Sequence, residues 1–275
     1  ENDASDLSSS SASYGDIAES VLDKAGLRLV DALLAFCQFG FCVSYCIFIL
    51  RNLSDLMPHT NVHAFVLLLM VALIPLVFVE DIRTLQPLSV VASALVFAGL
   101  LLSFPFLNWS GASDSGVPTF APSGLGLVIG IAASAHMGIG LVIPMESAVQ
   151  LELKGVAPSA ITEYYVRTLY HAVWLSCAVL VGFGLLAVRT YGLDTNAVIT
   201  VNFPDGPLAS TVQILFVLSL FFTFPLQFFP FRQASERYIL RHVQDANMSW
   251  MFRAALVVII CSVAARVPRF GAVYG

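Results

Sequence analysis

The stretch Gly124 to Pro144 reads GLGLVIGIAASAHMGIGLVIP. Its 21 residues are enough for a helix to cross the ~30 Å hydrocarbon core of a bilayer, and none is Asp, Glu, Lys or Arg. Gly124, Gly126, Gly130, Gly138, Gly140 and Pro144 interrupt it, and His136 lies in its second half. A plain lipid anchor has no use for this pattern, because each interior glycine weakens a helix by about 1 kcal/mol relative to alanine. Unwound backbone at membrane depth persists only where protein buries it or where it lines a cavity. Glycine-interrupted apolar segments point to transporter substrate sites. A titratable residue inside one is a candidate functional group.

The rest of the chain agrees with a membrane setting. Of its 275 residues 58% are hydrophobic and 11% charged, with a mean hydropathy of +0.84. Soluble domains carry about 25% charged residues. Seven of the 18 acids lie in the first 31 residues, so the net charge of −5 describes one end of the chain and not a partner. No basic patch is large enough for nucleic acid. The five cysteines (Cys37, Cys42, Cys46, Cys177, Cys261) all fall in apolar segments. They read as small packing residues, with no disulfide framework and no metal-ligand spacing. The acidic, Ser-rich first 20 residues are the opposite of a secretory leader.

Residues 1–13 form a polar, low-complexity tract expected to be disordered, and residues 14–275 a transmembrane domain. Seven apolar segments follow: Ala32–Leu50, Ala64–Val79, Pro87–Leu107, the opening stretch, Leu169–Val188, Leu208–Phe231 and Ala254–Ala265. The last is short unless Arg253 snorkels. Nine Lys and Arg residues flank one side of such a bundle: Lys24, Arg28, Arg83, Lys154, Arg167, Arg232, Arg237, Arg241 and Arg253. Four, Arg51, Arg189, Arg266 and Arg269, flank the other. The excess places the N-terminus in the cytosol. The sequons at Asn52 and Asn108 fall on the outer side and the one at Asn247 on the inner, and Asn52 lies close to the membrane.

No hydrolase, zinc-protease or phosphate-loop motif is present, so no enzyme, cofactor or metal site is expected. Polar residues inside the segments are few: Gln38, Ser44, Ser134, His136, His171, Ser176, Gln213, Ser219, Thr223 and Gln227. A membrane Ser or Thr first satisfies a carbonyl of its own helix or a neighbouring helix. Gln38 and Gln227 are costlier to bury and read equally as an interhelical bond or as site residues. His136 has three readings: a core histidine bonded to a carbonyl, a proton-coupling group titrating near ~6.5, or a substrate contact. His171 sits where a histidine snorkels. Pro225 and Pro230 read as a packing kink or as a helix shaped around a cavity.

Six strings together carry a family resemblance: SYGDIAE (Ser13 to Glu19), QFGFCVSY (Gln38 to Tyr45), AHMGIGLVIPME (Ala135 to Glu146), ITVNFP (Ile199 to Pro204), TFPLQF (Thr223 to Phe228) and the segment from Arg253 to Pro268. In this order and spacing the chain resembles the amino acid/auxin permease family, particularly its proton-coupled branch. The resemblance implies a leucine-transporter fold of two inverted repeats, of which this chain holds helices three to nine, as an incomplete piece. It implies secondary active transport of amino acids, with the proton as coupling partner and the lipid bilayer as surroundings, in a plasma membrane or an acidic vacuolar membrane. The implied substrate site is Ser134, Ala135, His136, Met137 and Gly138, faced by Gly40, Phe41, Ser44, Thr223 and Gln227. Met137 stands where the family's AFEG pattern has its glutamate and His136 where it has an aromatic, so His136 becomes the candidate proton-coupling group. Small or apolar site residues lean toward neutral amino acids. The alternatives are a non-transporting sensor or degenerate relative, and a seven-helix receptor or retinal protein. Against the last, Lys24 and Lys154 are the only lysines and both lie outside the segments.

Overall fold

The computed structural model describes residues 14–79, 82–107, 122–135, 138–153, 155–196, 198–239 and 246–267. The tract 1–13, the Asn108 sequon, His136 and Met137 lie outside the described residues. Every regular element among the described residues is helical. The helices are α1 (Tyr14–Leu56), α2 (Val62–Leu76), α3 (Gln86–Ser103), α4 (Leu125–Ala135), α5 (Ile139–Glu152), α6 (Pro158–Tyr191), α7 (Pro207–Ile239) and α8 (Ala246–Arg266). Five of them, α1, α3, α6, α7 and α8, are long and apolar enough to cross a membrane. This is an integral membrane protein.

Two of the seven expected segments take a shorter form. The helix α2 has 15 residues, about 22 Å at 1.5 Å per residue. Asn61 starts it, its side chain accepting the His63 N–H at 3.0 Å. The opening stretch divides into α4 and α5, with 11 and 14 residues.

Three helices run further than their apolar cores. The polar lead-in of α1 is helical, but the helix is not continuous. Asp23 has φ 57° and ψ −164°, in a region that L-residues avoid. Gly26 stands where the pieces meet, and a Cβ there would lie 2.4 Å from Leu22 Cβ. The helix α7 continues through Pro225 and Pro230 to Ile239, because packing holds what two lost backbone bonds would otherwise loosen. In α8, Arg253 is buried and paired with Glu236 at 2.7 Å, so it does not snorkel.

The core lies between α1, α2, α7 and α8. Cys42, Cys46, Leu73, Phe224, Val257, Ile260 and Cys261 are its least exposed apolar residues. All five cysteines are free. The helix α3 packs on α7 through a small-residue contact typical of membrane helices. A Cβ on Gly99 would meet the Phe216 ring at 2.9 Å, and Ser219 Oγ donates to the Ala92 carbonyl at 2.8 Å. At the ends of α6 and α7 the ITVNFP string closes a loop. Asn202 accepts the Asn196 N–H and donates to the Asp194 carbonyl, each at 2.8 Å. Phe203 stacks on Phe106 with ring centres 4.6 Å apart. Asn52 is buried, its amide donating to the Phe48 carbonyl, which leaves a glycan no room there.

Candidate functional site: a broken helix beside α1 and α7

The helix α4 ends at Ala135 and α5 begins at Ile139. Gly138 precedes α5 with φ −75° and ψ 6° and no side chain to cap the helix. No proline lies at the break; Pro144 is six residues past Gly138, inside α5. Gly138 thus lies outside both described helices. Ser134 and Ala135 are the last two residues of α4. A Cβ on Gly138 would meet nothing within 4 Å.

The facing residues divide in two. Gly40 is exposed, with open space at its Cβ position. Ser44 Oγ donates to the Gly40 carbonyl at 2.9 Å, and Thr223 Oγ1 to the Ser219 carbonyl at 2.8 Å. Both hydroxyls thus serve their own helices. Gln227 donates from its side-chain amide to the Gln38 side-chain oxygen, and both residues are buried. Of the two readings open for these glutamines, the interhelical bond is the one present, tying α1 to α7. Gln38 and Phe41, with Tyr14, Leu33, Leu34 and Cys37, line a cavity of about 220 Å³ along α1. His171 accepts or donates at the Arg167 carbonyl, 2.6 Å away, and is exposed.

Past the break, α5 is fastened by polar contacts. Tyr165 on α6 donates to the Val142 carbonyl at 2.9 Å. Thr162 on α6 donates to Glu146 Oε1 at 2.6 Å, and Gln150 reaches the same oxygen at 3.3 Å. Tyr14, at the start of α1, is hydrogen-bonded to the backbone of Ile143. Burial, and then the nearby Glu146 carboxylate, raise the Tyr14 phenol above its ordinary 10.0, so it stays neutral at physiological pH. Tyr14, Asp31, Pro144, Pro230, Gln233 and Arg237 surround a small crevice where α1, α5 and α7 meet.

Sequence reasoning missed the ion pairs beside this crevice. Arg232, Arg237 and Arg253 read there as flanking charges for orientation, with Arg253 also expected to snorkel. Instead α7 and α8 carry them inward. Arg237 pairs with the buried Asp31 at 3.3 Å. Glu236 receives Arg253 at 2.7 Å and Arg232 at 3.8 Å. Arg232 also donates to the Val79 carbonyl at 3.1 Å and lies 5.0 Å from the Phe229 ring centre. The i,i+4 spacing of Arg232 and Glu236 was the available signal, since such pairs share a helix face. Together these charges join α7 to α1, to α8 and to the segment after α2.

Comparison with known proteins supplies the family. The profile of the transmembrane amino acid transporter protein family matches residues 3–275. The chain is 31% identical over 273 residues to amino acid transporter AVT3A of Arabidopsis thaliana, covering 94% of this chain and 60% of that protein. It is 25% identical over 266 residues to vacuolar amino acid transporter 3 of Saccharomyces cerevisiae, covering 90% of this chain and 37% of that protein. The chain thus spans less than two thirds of the length of these relatives. No solved structure matches it. With the family profile covering nearly all of its length, the chain belongs to the transmembrane amino acid transporter protein family, a family of transporters and not of enzymes.

Proposed function

We propose that this chain carries the substrate pathway of a secondary active transporter that moves neutral amino acids together with a proton, by alternating access. The observation that carries the reading is the interruption between α4 and α5 inside an uncharged, glycine-rich segment. A break of this kind frees backbone amides and carbonyls for a ligand. The N-terminal end of α5 favours the substrate carboxylate. Carbonyls at the end of α4 would receive the ammonium group.

In this reading Ser134, Ala135, His136, Met137 and Gly138 form the floor of the site. Gly40, Phe41, Ser44, Thr223 and Gln227 face it from α1 and α7, with Gln227 held in place by Gln38. His136 is the proton-coupling candidate, because imidazole titrates near neutrality. The arrangement would be part of a leucine-transporter fold, with the N-terminus in the cytosol. A yeast relative named vacuolar favours an acidic compartment as the proton source.

The test is uptake of labelled neutral amino acids by the complete protein in liposomes, with a pH gradient imposed. Accumulation that collapses with a protonophore is expected. Substrate binding without uptake would contradict the reading and favour a sensor. His136→Ala should lower uptake and flatten its pH dependence; unchanged uptake with an unchanged pH profile would remove the histidine from the coupling.

A further inference from the structure

Glu146 is a carboxylate held entirely by hydroxyl and amide groups. On its own helix Gln150 donates to it at 3.3 Å, and from α6 Thr162 donates at 2.6 Å. Gln150 and Thr162 also meet each other at 3.4 Å, so the three side chains form a closed set. Tyr165 on the same face of α6 holds the Val142 carbonyl one turn earlier. Among the described residues no basic side chain is paired with Glu146.

The charged and titratable groups around α5 are placed elsewhere. Tyr14 approaches from α1 and Tyr165 from α6, and tyrosine is an uncharged side chain near neutral pH. Asp31 and Arg237, from α1 and α7, reach the crevice beside Pro144 but pair with each other. Arg83, beside α3, faces α5 across a cavity of about 400 Å³ lined by Met145, Ala148, Val149 and Glu152. The carboxylate is half-buried, and among the described residues its side-chain partners are Thr162 and Gln150.

Glu146 stands eight residues past Gly138, about 12 Å along the helix from the break. Half the bilayer core is ~15 Å. A carboxyl at that depth is within reach of water on the side where α5 ends. It also sits in a set of side-chain contacts that fastens α5 to α6.

We propose that Glu146 is a proton-binding group of the transport cycle, whose ionised form latches α5 to α6 and whose protonated form releases it. As a carboxylate it accepts from Thr162 and Gln150 together. Protonation removes the charge that strengthens both hydrogen bonds to Oε1, and the attachment weakens. The proton is taken from water and returned to water, and no covalent bond within the chain changes. Release would free α5 from α6. This places a coupling function on a residue outside the substrate-contact set, and it rests on the transporter reading.

The experiment uses the complete protein in liposomes, with two assays. Net uptake of labelled amino acid under a pH gradient needs coupling; exchange of labelled for unlabelled substrate at equal pH does not. Glu146→Gln, which mimics the neutral state, should lose gradient-driven uptake by about tenfold while exchange stays within about twofold. Gradient-driven uptake equal to wild type would overturn the proposal. Where Glu146→Gln also loses exchange, Glu146→Asp decides. Recovery of both activities with a shifted pH profile supports the proposal. No recovery, or recovery with the wild-type profile, overturns it. Absence of uptake by the wild-type protein would instead strike the transporter reading itself.

Discussion

Two groups of helices in this molecule are held by different means. In α7, 39% of the most apolar stretch is buried; in α6, only 6% is. The group of α1, α2, α3, α7 and α8 interlocks through large side chains such as Phe224 and Phe228, and closes with buried ion pairs at one end. The pair of α5 and α6 touches it through Tyr14, the crevice beside Pro144 and the hydrogen bond from Tyr191 to the Phe106 carbonyl. A helix group held by few buried apolar contacts and several separable hydrogen bonds opens at lower cost than a packed core. That difference suits a transporter in which one group stays fixed and the other moves around a site on its border.

Substitutions test this contrast by how unequally they act. Phe224 is fully buried, so Phe224→Ala should cost about 3–5 kcal/mol, read as a large drop in the unfolding temperature of the detergent-solubilised protein. A smaller loss is expected from Gln227→Leu, which strands the buried Gln38 amide without its partner, at about 1–3 kcal/mol. Replacing both glutamines by leucine should recover most of that loss, because nothing polar is then left unpaired. If the double variant is no more stable than the single one, the pair holds more than itself. The smallest effect belongs to α6. Leu180 is 50% exposed, and Leu180→Ala should change stability by less than about 0.5 kcal/mol. A loss in α6 comparable to that at Phe224 would erase the distinction between the groups.

The sequence made some parts of this architecture plain and hid others. Uncharged runs bounded by Asp31 and Arg51, or running unbroken from Leu208 to Phe231, announce membrane helices because lipid excludes charge. The break near His136 was legible because glycine at membrane depth needs a reason. The bend at Asp23 was not legible, since a left-handed Asp carries no local signature and the close approach at Gly26 is a tertiary contact. Nor was the inward path of Arg253, whose charge marked a helix end until Glu236 of α7 stood opposite it. Hydropathy sees a charge as a boundary; only packing shows that a partner neutralises it. Glu146 escaped notice for the same reason, because Thr162 lies sixteen residues away on another helix.

The central claim is that the interruption between α4 and α5 binds the substrate, and labelling at Gly138 tests it most directly. Space is open at that position, so Gly138→Cys should be tolerated in complete protein whose native cysteines, the five of this chain included, are replaced by serine or alanine. A thiol reagent is applied with and without a transported amino acid, and Leu180→Cys on the outer face of α6 serves as the control. The expected result is that substrate slows labelling at 138 by about tenfold and leaves labelling at 180 unchanged. Equal labelling at 138 with and without substrate, in protein that still takes up the amino acid, would contradict the claim.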